Sequence, residues 1–252
     1  GHPEKIIEKI IEDFKFKTPV GLPPICSLIS GYFSYDSIRY IEKIPNSCKD
    51  DLKLPDVRLL RPRTLIIHDN LKKKIFYIIN IFNDEKISNY KVKYLEIESE
   101  INDLLIQASL KKNNSTKKTK INIIVKSNTT KNKFLKMVNK AKKYIKIGDI
   151  FQVVLSQRFE ANISKKPIEI YKKLRVTNPS PFMYFFNFED FQIIGASPEI
   201  LVRLRDNKIT VRPIAGTRPR GKNFQQDNFF AKDLLKDKKE LSEHLMLLDL
   251  GR

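Results

Sequence analysis

Glu240 and Glu243 stand three residues apart in the segment Lys239-Glu240-Leu241-Ser242-Glu243-His244, which the surrounding pattern predicts as helix. On a helix that spacing puts both carboxylates on one face. Two such groups repel unless a cation or a proton lies between them. Oxygen-only ligands suit Mg²⁺, which also keeps waters and a substrate oxygen. By spacing alone, an exposed acidic face beside Lys238 and Lys239 accounts for the pair better than a metal does. Gly216-Thr217 sits within Pro213-Ile214-Ala215-Gly216-Thr217-Arg218-Pro219-Arg220-Gly221. It offers backbone N–H groups and a hydroxyl where a strand runs into a loop, a nest that can hold a carboxylate. An ordinary glycine turn explains it slightly better. Arg218 and Arg220 add anion affinity or are plain surface charges. Glu199 follows Ser197-Pro198 at a predicted strand start. Half-burial there would raise its pKa and fit it to act as a general acid, although a glutamate at a strand edge is common. Gln152 is a polar intrusion in an apolar stretch; it lines a site or faces solvent in the alternation.

The elements that must position these residues are readable in outline. Ile6, Ile7, Ile10 and Ile11 recur at helical spacing and predict a helix to about Phe14. Residues 28–35 read as a strand whose internal glycine marks a close backbone approach. Residues 64–68 and 75–79 form a hairpin around Asp69-Asn70-Leu71-Lys72. A helix is predicted over 91–110. Residues 111–133 are a polar, lysine-rich surface connection, interrupted only by Ile121-Asn122-Ile123-Ile124-Val125. A helix capped by Thr129 or Thr130 follows, with Phe134, Met137, Val138, Ala141, Tyr144 and Ile145 on one face and Gly148 as its stop. Next come a strand over 150–157 and a short proline-opened helix over 167–175. Strands over 182–188, 191–196, 200–204 and 208–214 read as an antiparallel meander, with Asp206-Asn207 as the last turn. Helices over 227–235 and 237–250 close the chain. Strands cluster and helices cluster, which argues for an α+β fold with antiparallel sheet rather than βαβ repeats. No internal repeat, phosphate-loop pattern or G-x-G-x-x-G is present.

Composition narrows the function classes. The 252 residues are 41% hydrophobic and 31% charged, which is globular. No apolar run reaches the ~20 residues that span a bilayer, so no membrane segment is expected. The first residues lack a basic-then-apolar signal layout, and two cysteines, Cys26 and Cys48, make no disulfide framework. A reducing cytoplasm fits. The net charge of +19 invites a nucleic-acid partner, yet it comes from 36 Lys against 12 Arg. Ile, Lys and Asn are high together, as base-composition drift would make them. The lysine-rich connection has no aromatic residue to stack on a base. A solvated lysine surface is the better account, and no nucleic-acid partner is expected.

Four segments in order strongly resemble the chorismate-utilising enzymes, and among them the anthranilate synthase component I group. They are Gly148-Asp149-Ile150-Phe151-Gln152, Gly195-Ala196-Ser197-Pro198-Glu199, 213–221 and 239–244. Gly31-Tyr32-Phe33-Ser34-Tyr35-Asp36, Arg39-Tyr40-Ile41-Glu42, Leu60-Arg61-Pro62-Arg63-Thr64 and Asn178-Pro179-Ser180-Pro181-Phe182-Met183 support them. The resemblance covers nearly the whole chain and weakens only between about Asn83 and Val125. It implies packed antiparallel β-sheets with outer helices. It also implies part of an N-terminal subdomain over 1–110, a connection over 111–130, and the first part of a chorismate-binding catalytic domain over 131–252.

By the same resemblance, Glu199 is the acid that helps the 4-hydroxyl of chorismate leave. Gly216 and Thr217 hold a substrate carboxylate, and Glu240 and Glu243 form one half of a Mg²⁺ site. Asn178, Pro179, Ser180, Pro181, Phe182 and Met183 wall an inhibitory tryptophan site. Family members that add water carry lysine where this chain has Gln152, which cannot act as a base. Aminodeoxychorismate synthases carry a nucleophilic lysine where this chain has Ala215. Both differences point to ammonia as nucleophile and to anthranilate and pyruvate as products; enzymes that stop at the aminated intermediate remain compatible. The chain shows no Cys-His-Glu glutaminase arrangement, so a separate glutamine amidotransferase subunit is implied. A non-catalytic remnant that only binds that subunit is the alternative of a different class. Relative to the family the chain is expected to be incomplete at both ends and inactive by itself.

Overall fold

The computed structural model describes residues 3–82, 85–110 and 123–251. Most of the lysine-rich connection therefore lies outside the described residues. The chain divides into two compact units, 1–118 and 119–252. Every strand pairing within them is antiparallel.

The first unit opens with helix α1 (Pro3–Asp13), whose isoleucines give it an apolar stripe. Strands β1 (Ser30–Phe33) and β2 (Val57–Leu60) pair with Gly31 opposite Leu59. A Cβ on Gly31 would lie 2.0 Å from the Arg58 carbonyl oxygen, so the glycine is what lets the two backbones meet. Asp56, just before β2, binds the chain that leaves β1. Its carboxylate accepts from Ser34 Oγ at 2.8 Å and from Tyr40 OH at 2.9 Å. The hydrogen bond to Asp56 raises the Tyr40 phenol above its ordinary pKa.

Strands β3 (Thr64–Asp69) and β4 (Lys74–Ile79) form the expected hairpin. Asp69 Oδ1 accepts from the N–H groups of Leu71 and Lys72, a local alternative to the ladder that turns the chain. Asn89 caps α2 (Tyr90–Ser109) by accepting from Lys91 and Val92 N–H. Helix α2 lies on β4, and Arg63 grips Glu100 with two hydrogen bonds of 2.8 and 3.2 Å. The Arg61 guanidinium lies 3.8 Å from the Phe82 ring centroid and 5.1 Å from that of Phe14. Cys26 and Ile67 are the buried apolar residues of this unit.

In the second unit, β5 (Val125–Ser127) pairs with β6 (Phe159–Ala161). Between them runs α3 (Lys131–Lys146), capped by Thr130 Oγ1 on Lys133 N–H. It ends as expected: Gly148 takes φ +82°, its N–H donates to Ile145, and Asp149 N–H reaches back to Tyr144. The strand expected over 150–157 is not formed. That stretch finds no ladder partner among the described residues, and pairing begins only at Phe159.

Helix α4 (Pro167–Thr177) packs on the hairpin of β7 (Phe182–Asn187) and β8 (Gln192–Ser197). Phe186, Phe188 and Phe191 stack along it with ring centroids 5.8 and 5.0 Å apart, and Phe188 is buried. Strands β9 (Arg203–Arg205) and β10 (Lys208–Thr210) make a separate hairpin, not the third and fourth strands of a meander. Pro198 follows β8 at once and cannot donate to a ladder. The turn of the second hairpin is the expected one, with Asp206 and Asn207 at φ 50° and 57°. Helices α5 (Phe224–Lys236) and α6 (Lys238–Gly251) complete the unit.

Among the described residues only Cys26, Ile67 and Phe188 are buried apolar side chains, while Phe151 and Leu201 are more than four-fifths exposed. Most large apolar side chains of the described residues are thus at least partly exposed. Gly31→Ala is expected to force β1 from β2 and cost about 1–3 kcal/mol. Chemical denaturation measures this, and an unchanged midpoint would show that the pairing is not as tight as described.

Candidate functional site

The residues around 213–221 run from β10 toward α5 without strand pairing, and side chains rather than a ladder hold them. At the far end, Asp227 of α5 accepts from Gly221 N–H and from Arg220, both at 2.9 Å. In the middle, Arg218 Nε donates to Asp233 Oδ2 at 2.7 Å, and a terminal nitrogen donates to Asp237 Oδ2 at 2.8 Å. Its other terminal nitrogen donates to the Thr217 carbonyl at 3.2 Å. Asp237 is also the junction of the two helices. Its N–H closes α5 on Asp233, and its Oδ1 accepts from Lys239 and Glu240 N–H to begin α6. Arg218 is therefore spoken for by two aspartates and braces the loop, whereas Arg220, 93% exposed beside Asp227, stays a surface charge.

Glu240 occupies the first turn of α6, where the helix dipole favours a carboxylate. Its carboxylate lies against Gly216: a Cβ there would sit 2.3 Å from Glu240 Oε2. Gly216 is needed for this close approach, not for an unusual backbone angle. A hollow of about 300 Å³ lies here, lined by Ala215, Gly216, Glu240, Leu241 and His244 among others. Glu199 is half-buried in the bend between β8 and β9, not at a strand start. Its Oε1 accepts from Ile214 N–H at 3.1 Å. It lines a second, wider hollow of about 640 Å³, and Pro213 walls both. The short run 213–216 is thus touched by Glu199 near one end and by Glu240 at the other.

The remaining site residues fall as follows. Glu243 is half-buried one turn beyond Glu240 on α6, with no hydrogen bond or ion pair to the others among the described residues. Thr217 is exposed, its carbonyl held by Arg218. Gln152 is exposed in the unpaired stretch before β6, and no hydrogen bond joins it to the cluster. Asn178 caps the end of α4, with its N–H on Leu174. Ser180 Oγ donates to the Ser197 carbonyl, while Phe182 and Met183 pair with Ser197 and Ala196. Ser197 Oγ in turn donates to the Glu199 carbonyl at 3.0 Å. The segment 178–183, with Pro179 and Pro181 in it, therefore lies directly across from the turn that carries Glu199. His244 was missed as a lining residue. Its signal was its place four residues beyond Glu240, on the same helix face.

A hard cation fits the chemistry of this corner: carboxylate oxygens at a helix start, with space made by a glycine. Among the described residues no three His, Cys, Asp or Glu side chains gather in one place, so Glu240 and Glu243 give at most half a ligand set. No helix is long and apolar enough to cross a membrane among those residues.

Comparison with known proteins identifies the family. The model of the chorismate binding enzyme family matches residues 4–252. The chain belongs to that family. It is 43% identical to anthranilate synthase component 1 of Cereibacter sphaeroides over 254 residues, all of this chain and 51% of that protein. It is 40% identical to the component 1 of Aquifex aeolicus, over 99% of this chain and 51% of that protein. The crystal structure of anthranilate synthase component I from Streptococcus pneumoniae superposes with a TM-score of 0.81 at 33% identity, covering 97% of this chain and 53% of that one. The expected α+β architecture, part of a larger one, is therefore the observed architecture. The chain spans about half the length of the curated relatives it matches.

The Gly221 N–H, and after it Arg220, hold the Asp227 carboxyl below the usual carboxylate range. Arg218 and then the Glu240 N–H do the same to Asp237. A carboxyl with a lowered folded-state pKa stabilises the fold above its unfolded value, and the contribution disappears as pH falls through the folded one. The brace should weaken below about pH 4. The melting temperature of the wild type should fall more steeply from about pH 5 to about pH 2.5 than that of Asp227→Asn. Parallel profiles would contradict this.

Proposed function

We propose that the protein carrying this chain is the large subunit of an anthranilate synthase. It converts chorismate and ammonia to anthranilate, pyruvate and water, the first committed step of tryptophan biosynthesis. A glutamine amidotransferase subunit supplies the ammonia, and a cytoplasmic location goes with that reading. The observation that carries it is the approach of Glu199 and Glu240 to the two ends of one short segment, 213–216. An acid and a carboxylate-lined corner are then held a few residues apart, as a ring bearing both a leaving hydroxyl and a carboxylate requires.

In this reading the backbone N–H groups of Gly216 and Thr217 receive a substrate carboxylate. Glu240 and Glu243 would hold Mg²⁺ from one side. When bound, Mg²⁺ offsets the negative charge of the chorismate ring carboxylate. Ammonia attacks C2, the 4-hydroxyl leaves with a proton from Glu199, and the ring then loses its C2 proton and pyruvate to become aromatic. Gln152 has no basic atom, so water is not activated and the nucleophile must arrive already competent. Ala215 cannot form a covalent intermediate. Residues 178–183 wall the site for feedback by tryptophan. The hydrogen bonds from Ser180 to Ser197 and from Ser197 to Glu199 support their nearness to the chemistry.

The complete protein, given chorismate, Mg²⁺ and an ammonium salt, should form fluorescent anthranilate, and the 252-residue chain alone should not. Accumulation of the aminated intermediate without pyruvate would replace this reading with that of an enzyme that stops before elimination. Glu199→Gln should lower kcat about 10²–10⁴-fold with little change in the chorismate KM. A kcat near wild type would remove Glu199 from the acid's role.

A further inference from the structure

The two halves of the site are carried by different elements: Gly216 and Thr217 by an unpaired loop, Glu240 and Glu243 by α6. Neither strand ladder nor helix packing sets their mutual register. One side chain touches the first and reaches the second through a single aspartate. Arg218 lies two residues from Gly216, holds the Thr217 carbonyl at 3.2 Å, and reaches Asp237 at 2.8 Å. Asp237 uses its other oxygen to accept the Glu240 N–H at 3.3 Å. A second carboxylate, Asp233 at 2.7 Å, holds the guanidinium in orientation. Arg218 has little freedom left, with a side chain 23% exposed.

We propose that Arg218 is a positioning residue for the metal corner: acting through Asp237, it fixes the first turn of α6 against the loop so that the Glu240 carboxylate faces Gly216. The proposal rests on the reading of Glu240 as a Mg²⁺ ligand and adds the residue that aims it. Groups that orient a metal ligand without touching the metal govern affinity nearly as strongly as the ligand itself. The fork geometry is essential, because Arg218 must serve two aspartates and a carbonyl at once. A lysine in its place would keep the charge and reach one of them.

The test uses the complete protein and calorimetric titration with Mg²⁺, alongside steady-state kinetics and melting. Arg218→Gln should weaken Mg²⁺ binding about 10–100-fold. At saturating Mg²⁺ its kcat should return to within about threefold of wild type, since no group that touches the reacting atoms is lost. Arg218→Lys should recover only part of the affinity. Asp237→Asn keeps a helix cap but loses the ion pair, and should weaken Mg²⁺ binding in the same way even if Arg218→Gln fails to fold. Wild-type Mg²⁺ affinity in a folded Arg218→Gln or Asp237→Asn protein would overturn the proposal, whatever its melting temperature. Glu240→Gln separates the two levels. If it leaves Mg²⁺ binding intact, the reading of Glu240 falls and this proposal with it. If it abolishes binding while Arg218→Gln binds Mg²⁺ as tightly as the wild type, the proposal alone falls.

Discussion

The guanidinium of Arg218, shared between Asp233 and Asp237, is the contact on which the arrangement of this protein's acidic groups depends. The loop over 213–221 has no ladder to hold it, so its course over α5 and α6 is set by charge-assisted hydrogen bonds at two points, Arg218 and Asp227. Asp237 does three things with one side chain and one backbone group: it ends a helix, begins the next and pairs the arginine. With those in place, Glu240 at the third position of α6 lies against Gly216. Glu199 reaches the other end of the same run through a single backbone N–H. The site's geometry thus rests on polar contacts near the surface.

The parts of the fold set by neighbours in sequence were legible from the residues. The hairpin over 64–79 follows from two apolar runs around an aspartate turn. Helix α3 is bounded by Thr130 and Gly148, each acting through hydrogen bonds to residues at most five positions away. Gly31 announced a close backbone approach, and the carbonyl of Arg58 is what it approaches. The failures share one cause. The apolar stretch over 150–157 has the composition of a strand but no partner among the described residues, and composition cannot supply one. The expected meander broke into two hairpins because Pro198 and the bend after it separate β8 from β9.

The candidate site divides along the same line. Residue types and the family resemblance singled out Glu199, Gly216, Glu240 and Glu243, yet spacing favoured an idle acidic face and an ordinary turn. The contact between Gly216 and Glu240 joins residues 24 positions apart in the chain and is invisible to any local rule. The arginines show the opposite case. Their sequence context offered anion binding or mere surface charge. Their partners, Asp227, Asp233 and Asp237, recur along α5 and at its junction with α6, a pattern legible only once the loop is known to fold back over that helix. Gln152 and Thr217, both exposed here, owe their proposed roles to the resemblance more than to any contact within this chain.

The most direct test of the central claim is a crystal structure of the complete protein soaked with Mn²⁺ in place of Mg²⁺ and solved with the metal's anomalous signal. The account predicts one strong peak ligated by Glu240 and Glu243, beside Gly216, with the Arg218–Asp237 pair intact. A metal peak bound elsewhere, or those two carboxylates turned away from the loop and from each other, would contradict it.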